Sequence, residues 1–535
     1  MDVYSLTSPW MAHWPEGVPK KFDYPNIPVH GILSRSAGNF GSKVAAVHKG
    51  NVYTYHELDR RSSQLANALS EMGIQKGDRV LIFLSNSPEF IISYYGILKA
   101  GGIVITASPL SKEMELAHHA IDSGANTIIF RDVLHPIVSR TLPSGVFKNL
   151  ISVGEGRIPG VTSLDDILEN YPPNPPNVNF DPREDMAVIQ YTGGTTGVPK
   201  GAMITHTNLV SNAIMNALWF RWTNQDRVMG VTPFYHTWGP TVCMNSVFYV
   251  GASVHIVSQF DPEIALEMIE REKITIFYGV TSLWQMLIHH PAIDSYDLSS
   301  LRYVKAGGMP VLQEVKEVWE RVTGVPLIPG YGLTEASPEC MNNPTHRVKA
   351  GSIGIPIIDT EARVIDVETG RDQPPGKEGE LLVKGPQVMK GYWRNPEETA
   401  RTLKEGWLHT GDIVFMDEDG YFYFVERSKD MIKYKGHGVF PAELEDVLTK
   451  HPAVRECAVV GRSQPIIGET PVAFVVLKDG MSATDQELIE FCKDKIAPYK
   501  RVREVHFVRE LPKTPVGKLL KRRLREMLSQ EKSAL

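Results

Sequence analysis

Two stretches of this chain switch repeatedly between helical and strand periodicity, and that switching limits the folds open to it. In "TYHELDRRSSQLANALSEMG" the apolar residues recur at helical spacing, and Gly73 follows as a suitable C-cap. "DRVLIFLSN" then reads as a buried strand, "PEFIISYYGILKAG" as a helix and "GIVITAS" as another strand. The alternation resumes in "TNLVSNAIMNALWF", "SVHIV", "PEIALEMIEREK" and "ITIFYGV". Strands alternating with helices imply an α/β architecture whose largely parallel sheets are flanked by helices. The apolar runs, such as Val80 to Leu84, have strand length and fall far short of the ~20 residues of a membrane helix, so no membrane span is expected.

At 535 residues the chain is too long for one ordinary domain. Two places look like boundaries. "YPPNPPNVNFDPRED" (171–185) is proline-rich and reads as an extended connector. The second lies near Glu426 to Asp430. Beyond it the short strands "AVRECAVVGR", "PVAFVVLK" and "VREVHFVRE" enclose one clear helix, "TDQELIEFCKDKI", which makes a compact α+β unit of about a hundred residues.

Immediately after the proline-rich connector comes "YTGGTTGVPKG", Tyr191 to Gly201. Glycines, threonines and one lysine in so short a space suggest phosphate binding. The P-loop pattern does not fit, because neither Gly193 nor Gly194 has a glycine five residues on and Lys200 precedes Gly201 rather than Ser or Thr. "MAVIQYT" before the loop and "GAMITH" after it both read as strands, whereas a P-loop joins a strand to a helix N-terminus. Gly193, Gly194 and Gly197 permit close backbone approach, Thr192, Thr195 and Thr196 offer hydroxyls, and Lys200 supplies a point charge.

Composition removes several other classes. A net charge of −6 gives no basic footprint for nucleic acid. Cys243, Cys340, Cys457 and Cys492 are scattered and form no C-x-x-C pair, so they read as small buried hydrophobes in a reducing compartment. The N-terminus lacks a charged segment followed by an apolar stretch, and the terminal "KSAL" only loosely resembles a peroxisomal signal. A cytoplasmic location is expected.

"YTGGTTGVPKG" resembles the phosphate-binding loop of the adenylate-forming superfamily, which includes acyl-CoA synthetases, 4-coumarate–CoA ligases, firefly luciferase and peptide-synthetase adenylation domains. That loop commonly has Ser or Thr where this chain has Gly193. Further segments follow in the family's order: "PFYHTWG" (233–239), "KAGGMP" (305–310), "GYGLTEASP" (330–338), "GWLHTGD" (406–412), "ERSKDMIKYKGHGVFPAELE" (426–445) and "PKTPVGKLLKRRL" (512–524). The resemblance runs from about Tyr53 to Lys521. It implies a large N-terminal adenylate-forming domain (1–426) that binds acid, ATP and magnesium, a hinge (427–430) and a small mobile α+β domain (431–535).

The resemblance also assigns roles. Lys518 is expected to bridge the carboxylate and the α-phosphate during adenylation. Glu335 and Thr334 look like the magnesium-associated carboxylate and the α-phosphate hydroxyl, with Thr192 near the metal too; one carboxylate plus substrate phosphates is a usual way to hold magnesium. Tyr331, within Gly330 to Gly332, would lie against adenine beside Gly307, Gly308 and Met309. Asp412 resembles the carboxylate that accepts both ribose hydroxyls, and Arg427 adds a ribose contact. His236 borders the acyl pocket and is read as a gate between the adenylation and thiol sides rather than a proton shuttle. Lys429 matches the hinge of a domain rotation between half-reactions. The alternative conformation would present Lys433 to AMP, and Lys435, Gly436 and His437 to a coenzyme A tunnel. Gly438 departs from the family, where a larger residue often stands.

The expected activity is therefore that of an AMP-forming acyl-CoA ligase using ATP, Mg2+ and coenzyme A. The segment 331–366 is more like the bacterial and archaeal fatty-acyl ligases, so a medium- to long-chain fatty acid is expected, with an aryl acid as the alternative. His236, Thr237, Trp238, Thr241, Gly332 and Ala336 are the expected pocket walls. Trp238 could gate an acyl tunnel or floor it, with opposite consequences for chain length. A nucleotide-binding protein without ligase chemistry would be expected to lack groups such as Lys518, Glu335 or Asp412, and all three are present. A homodimer is conceivable by resemblance alone.

Overall fold

The computed structural model describes residues 8–141, 145–192, 199–308, 311, 313–427, 430, 432–434, 437–439, 441–464, 468–493, 495, 501–513 and 519–533. The chain divides into two compact units, one of Met1–Ala362, Val383–His409 and Asp419–Tyr421, the other of Arg363–Leu382, Thr410–Glu418 and Phe422–Leu535.

The alternation of periods produces two helix-flanked sheets in the first unit. One sheet runs, edge to edge, Gly391–Tyr392, Lys200–Thr205, Met186–Thr192, Ile103–Thr106, Arg79–Phe83, Thr127–Arg131, Asn149–Val153 and Thr162–Ser163. Its central strands are parallel, with Val80 opposite Val104 and Thr127. Covered on both faces, such strands bury side chains of either parity, which is why Val80 to Phe83 are all 0% exposed. The second sheet runs Ile355–Pro356, Glu339–Asn342, Leu327–Gly332, Tyr303–Ala306, Ile276–Gly279, Arg227–Gly230, Ser253–Ile256, Val44–His48 and Asn51–Thr54. Trp284 and Trp319 meet edge to face at 5.3 Å under this sheet.

Helix starts follow capping chemistry. The helix Tyr55–Glu71 opens on a reciprocal capping box between Thr54 and Glu57, and Pro88–Lys99 opens on Ser87 with proline in its first turn. The helix His206–Trp219 begins with a capping box between Thr205 and Asn208, directly after the strand Lys200–Thr205.

The proline-rich segment 171–185 has no helix or strand and closes on a hydrogen-bonded turn in which the amides of Glu184 and Asp185 donate to Asp181 O; it is not a domain boundary. The strand Met186–Thr192 that follows it pairs with Ile103–Thr106 in the same sheet as the strands preceding the segment. Prolines here carry the chain from one edge of a sheet back to its interior, and composition alone reads that connector like an interdomain linker.

In the second unit, Val454–Gln464 and Gly468–Leu477 form a long antiparallel pair, joined by Glu504–Phe507 in parallel and by Ile432–Tyr434. The helices Pro441–Thr449, Asp485–Lys493 and Lys521–Ser533 belong to the same unit. Leu444, Val459, Val475 and Leu488 form one core, and Val460, Phe474, Leu524 and Leu528 a second. Of the four free cysteines, Cys243, Cys340 and Cys492 are buried and Cys457 is half-buried, in keeping with apolar packing.

Candidate functional site

The strand–loop–strand reading of "YTGGTTGVPKG" holds: Met186–Thr192 pairs antiparallel with Lys200–Thr205, and Thr192 faces Lys200 at the mouth of the hairpin. The hydroxyl of Thr192 donates to the carbonyl of Lys200 at 3.4 Å. Gly193, Gly194, Thr195, Thr196 and Gly197 lie outside the described residues. Gly201 has a packing reason, since a Cβ there would sit 2.6 Å from Ile189 Cγ2. The residue that spoils the P-loop pattern is therefore required by the sheet.

The helix Glu113–Ser123 touches both ends of this loop. The phenol of Tyr191 donates to Asp122 Oδ2 at 2.5 Å, and its ring stacks on His119 at 4.4 Å between centroids. His118 Nε2 meets the carbonyl of Pro199 at 3.2 Å. Burial lowers the pKa of His119 to about 4, so it stacks as a neutral ring.

Lys200 itself forms an ion pair with Glu398, and its ammonium lies 5.4 Å from the ring centroid of Tyr392. Glu398 stands in the first turn of the helix Pro396–Thr402, where Asn395 caps its amide at 3.1 Å, and its other oxygen meets Arg401 at 2.5 Å. The Tyr392 hydroxyl donates to Glu335 Oε1 at 2.8 Å. Burial first, and then Glu335, push the phenol's pKa up, which keeps it a neutral donor. Tyr392 thus stands between the loop lysine and the carboxylate expected to associate with magnesium. Thr334, Glu335 and Ala336 make a single 3₁₀ turn, with the carbonyl of Glu335 accepting from Met389 N at 2.8 Å.

A second cluster surrounds Trp238. Its indole N–H donates to Glu339 Oε1 at 3.0 Å, and its ring meets Tyr278 edge-on at 5.9 Å. The same Glu339 oxygen receives the ammonium of Lys305, a pair whose side chains are 2% and 3% exposed. Asn342 donates to Glu339 Oε2 at 3.1 Å. Burial lowers the Lys305 pKa and Glu339 opposes that shift. A Cβ on Gly307 would come within 3.0 Å of the Trp238 ring, so the glycine leaves that ring its place. Gly308 follows with φ +75°, and Met309 lies outside the described residues. Thr241, in the π-helical turn Thr241–Asn245, donates to the carbonyl of Ser337 at 3.0 Å. Gly330, Tyr331 and Gly332 pair with Asn342, Met341 and Glu339.

His236 is half-buried in a turn, its amide donating to Pro233 O at 3.1 Å and its Nδ1 accepting from Trp238 N at 3.4 Å. Thr237 is buried, and its hydroxyl has no partner among the described residues. The first unit thus brings together Thr192 with Lys200, and His236 with Trp238. Lys305, Glu339, Tyr392 and Glu398 escaped the sequence reading. Lys305 heads the segment "KAGGMP" and Glu339 directly follows "GYGLTEASP", but the two are 34 residues apart and no local pattern joins them.

In the second unit Asp412 is 0% exposed and lies opposite Arg427 in the antiparallel pair Trp407–Met416 and Phe422–Arg427. Lys433 and His437 lie in facing short strands, Lys433 opposite Gly438. The side chains of Arg427, Lys433 and His437 are outside the described set, as are Lys429, Lys435, Gly436 and Lys518. Asp430 accepts from Arg525 at 2.7 Å.

Comparison with known proteins places these observations. A family described as "AMP-binding enzyme" matches residues 33–393, and "AMP-binding enzyme C-terminal domain" matches residues 443–518. The chain is 39% identical to a long-chain-fatty-acid–CoA ligase of Bacillus subtilis, covering 97% of this chain and 98% of the relative. It is 34% identical to 4-coumarate–CoA ligase 1 of Solanum tuberosum, covering 94% of each. Among solved structures, ATP-bound MatB from Rhodopseudomonas palustris superposes with a TM-score of 0.85 at 29% identity, covering 94% of this chain and 99% of that one.

Proposed function

The chain belongs to the family of AMP-binding enzymes, the adenylate-forming superfamily, and from that premise we propose that it activates a long-chain fatty acid with ATP and passes the acyl group to coenzyme A. The observation that carries this reading is the near-complete coverage, in both directions, of fatty-acid–CoA ligases at 36–39% identity. In the first step a carboxylate oxygen bonds to the α-phosphorus and the bond to the β-phosphate breaks, releasing pyrophosphate. In the second the coenzyme A sulfur bonds to the acyl carbon, its proton passes to solvent, and AMP leaves.

Bringing a carboxylate to a polyphosphate requires charge neutralisation and alignment. On this reading Lys200 and the 193–197 loop hold the β- and γ-phosphates, Lys518 bridges carboxylate and α-phosphate, and Thr334 donates to the α-phosphate. Tyr331, Gly307, Gly308 and Met309 hold adenine, and Asp412 and Arg427 the ribose. Glu335 and Thr192 supply a carboxylate and a hydroxyl, a donor set that suits magnesium held mainly by phosphates and water. Bound there, the metal would neutralise phosphate charge. Among the described residues no group of three His, Cys, Asp or Glu side chains is suited to hold a metal by itself.

Residues 427–430 serve as the hinge between a body of 1–426 and a domain of 431–535, with Asp430 anchored to the last helix through Arg525. In the second step Lys433 turns to AMP, and Lys435, Gly436 and His437 to coenzyme A. His236, Thr237, Trp238, Thr241, Gly332 and Ala336 wall the acyl pocket. The hydrogen bond to Glu339 and the contact with Tyr278 favour Trp238 as a fixed wall over a swinging one. Among the described residues no helix is long and apolar enough to cross a membrane, and the cytoplasm is the site of action proposed. A homodimer is the assembly to test first, by sedimentation.

An aryl acid is the second reading, supported by the 34% identity to 4-coumarate–CoA ligase. ATP–pyrophosphate exchange across fatty and aryl acids, followed by thioester detection, separates the two. Exchange with fatty acids is expected; exchange with aryl acids alone would overturn the substrate, and no exchange with any acid would overturn adenylation.

A further inference from the structure

Lys200 does two incompatible things with one charge. The proposed chemistry assigns its ammonium to the phosphates that leave, whereas the structure engages it with Glu398. The pair is reachable, with side chains 19% and 15% exposed. It borders a cleft of about 270 Å³ lined by Lys200 with His118, Gly201 and Arg394. Glu398 is itself shared, because Arg401 binds its other oxygen at 2.5 Å from a side chain that is 67% exposed.

We propose that Glu398 is a positioning residue that speeds pyrophosphate release by competing with the departing product for Lys200. This rests on the reading of Lys200 as a phosphate-binding lysine. Each time Lys200 returns to Glu398, the product loses one charge-assisted hydrogen bond, and while Lys200 stays with the product Glu398 is left with Arg401. The apparent affinity for pyrophosphate is then reduced by the fraction of time Lys200 is engaged elsewhere. A partly exposed pair worth about 1 kcal/mol corresponds to a factor of about five. Arg401 moderates the competition, because it draws on the same carboxylate.

The test is calorimetric binding of inorganic pyrophosphate to the full chain. Glu398→Gln should bind it about fivefold more tightly than wild type. Arg401→Gln, an exposed change that frees Glu398 for Lys200, should bind it more weakly. In a Lys200→Ala background, Glu398→Gln should have no effect beyond about twofold. Unchanged or weaker binding by Glu398→Gln overturns the proposal, as does the same tightening without Lys200, or a wild type that binds no pyrophosphate. The ligase reading falls separately, on absent ATP–pyrophosphate exchange. An enzyme that exchanges normally while Glu398→Gln changes nothing loses only the competition.

Discussion

Replacing Glu339 with alanine isolates the most consequential buried interaction described for the first unit. Lys305 and Glu339 are 2% and 3% exposed, and Trp238 and Asn342 spend their side-chain N–H groups on the same carboxylate. At a contact of ~3 Å and an effective dielectric of 20, the attraction is about 5 kcal/mol, which desolvation of the two ions largely offsets. The intact pair is therefore close to neutral, but cutting it is not. Without Glu339 the ammonium keeps, among the described residues, the faces of Tyr278 and Phe220, at 5.1 and 5.3 Å. Those contacts offset about 1–2 kcal/mol, and a net destabilisation of about 3–5 kcal/mol at pH 7 is expected. The signature is its pH dependence. Burial already lowers the Lys305 pKa, and losing Glu339 lowers it further. Between that value and the unfolded pKa the unfolded chain holds more protons, so the variant's stability rises with pH. Urea unfolding followed by tryptophan fluorescence should show the Glu339→Ala deficit shrinking between pH 7 and pH 9.5. The double change Lys305→Met with Glu339→Leu should recover to within about 1 kcal/mol of wild type. A deficit below about 1 kcal/mol, or one that is flat with pH, would refute the reasoning and leave only a cavity effect.

Lys518→Ala should abolish ATP–pyrophosphate exchange while thioester formation from a supplied acyl-adenylate persists; equal loss of both steps contradicts the two-conformer account. Trp238→Ala should move the chain-length optimum upward in a competition among fatty acids, and an unchanged profile removes Trp238 from the pocket wall. Burial lowers the pKa of His30 to about 3 and those of His119, His206 and His255 to about 4, against an ordinary 6.5. Below 6.5 the unfolded state binds more protons, so stability should be complete above that pH and fall as pH drops toward 4. His255→Gln should flatten part of that slope in thermal midpoints measured from pH 7 to pH 4.5, and parallel curves would refute the assignment.

What the sequence made legible was whatever one segment determines by itself. Val80 to Phe83 announce a strand because a parallel interior strand needs no polar face, and Thr205 with Asn208 announce a helix because the cap closes within three residues. The strand–loop–strand form of "YTGGTTGVPKG" was visible for the same reason. The proline-rich segment misled, because extended backbone serves equally between domains and between strands of one sheet. Lys305 with Glu339, and Lys200 with Glu398, stayed hidden, since each pair is made by elements 34 and 198 residues apart. A lone buried lysine and a glutamate in a helix's first turn carry no sign of a partner.

The hairpin mouth has one further consequence, for which insertions the chain tolerates. Thr192 faces Lys200, Tyr191 faces Gly201 and Gln190 faces Ala202, so successive residues of the second strand point to opposite sides. Length added between Thr192 and Lys200 leaves this parity intact. One residue added between Lys200 and Thr205 inverts it, turning the lysine away from Glu398 and setting a side chain where only Gly201 fits against Ile189. Natural length variation should therefore fall in the loop and stop at its lysine.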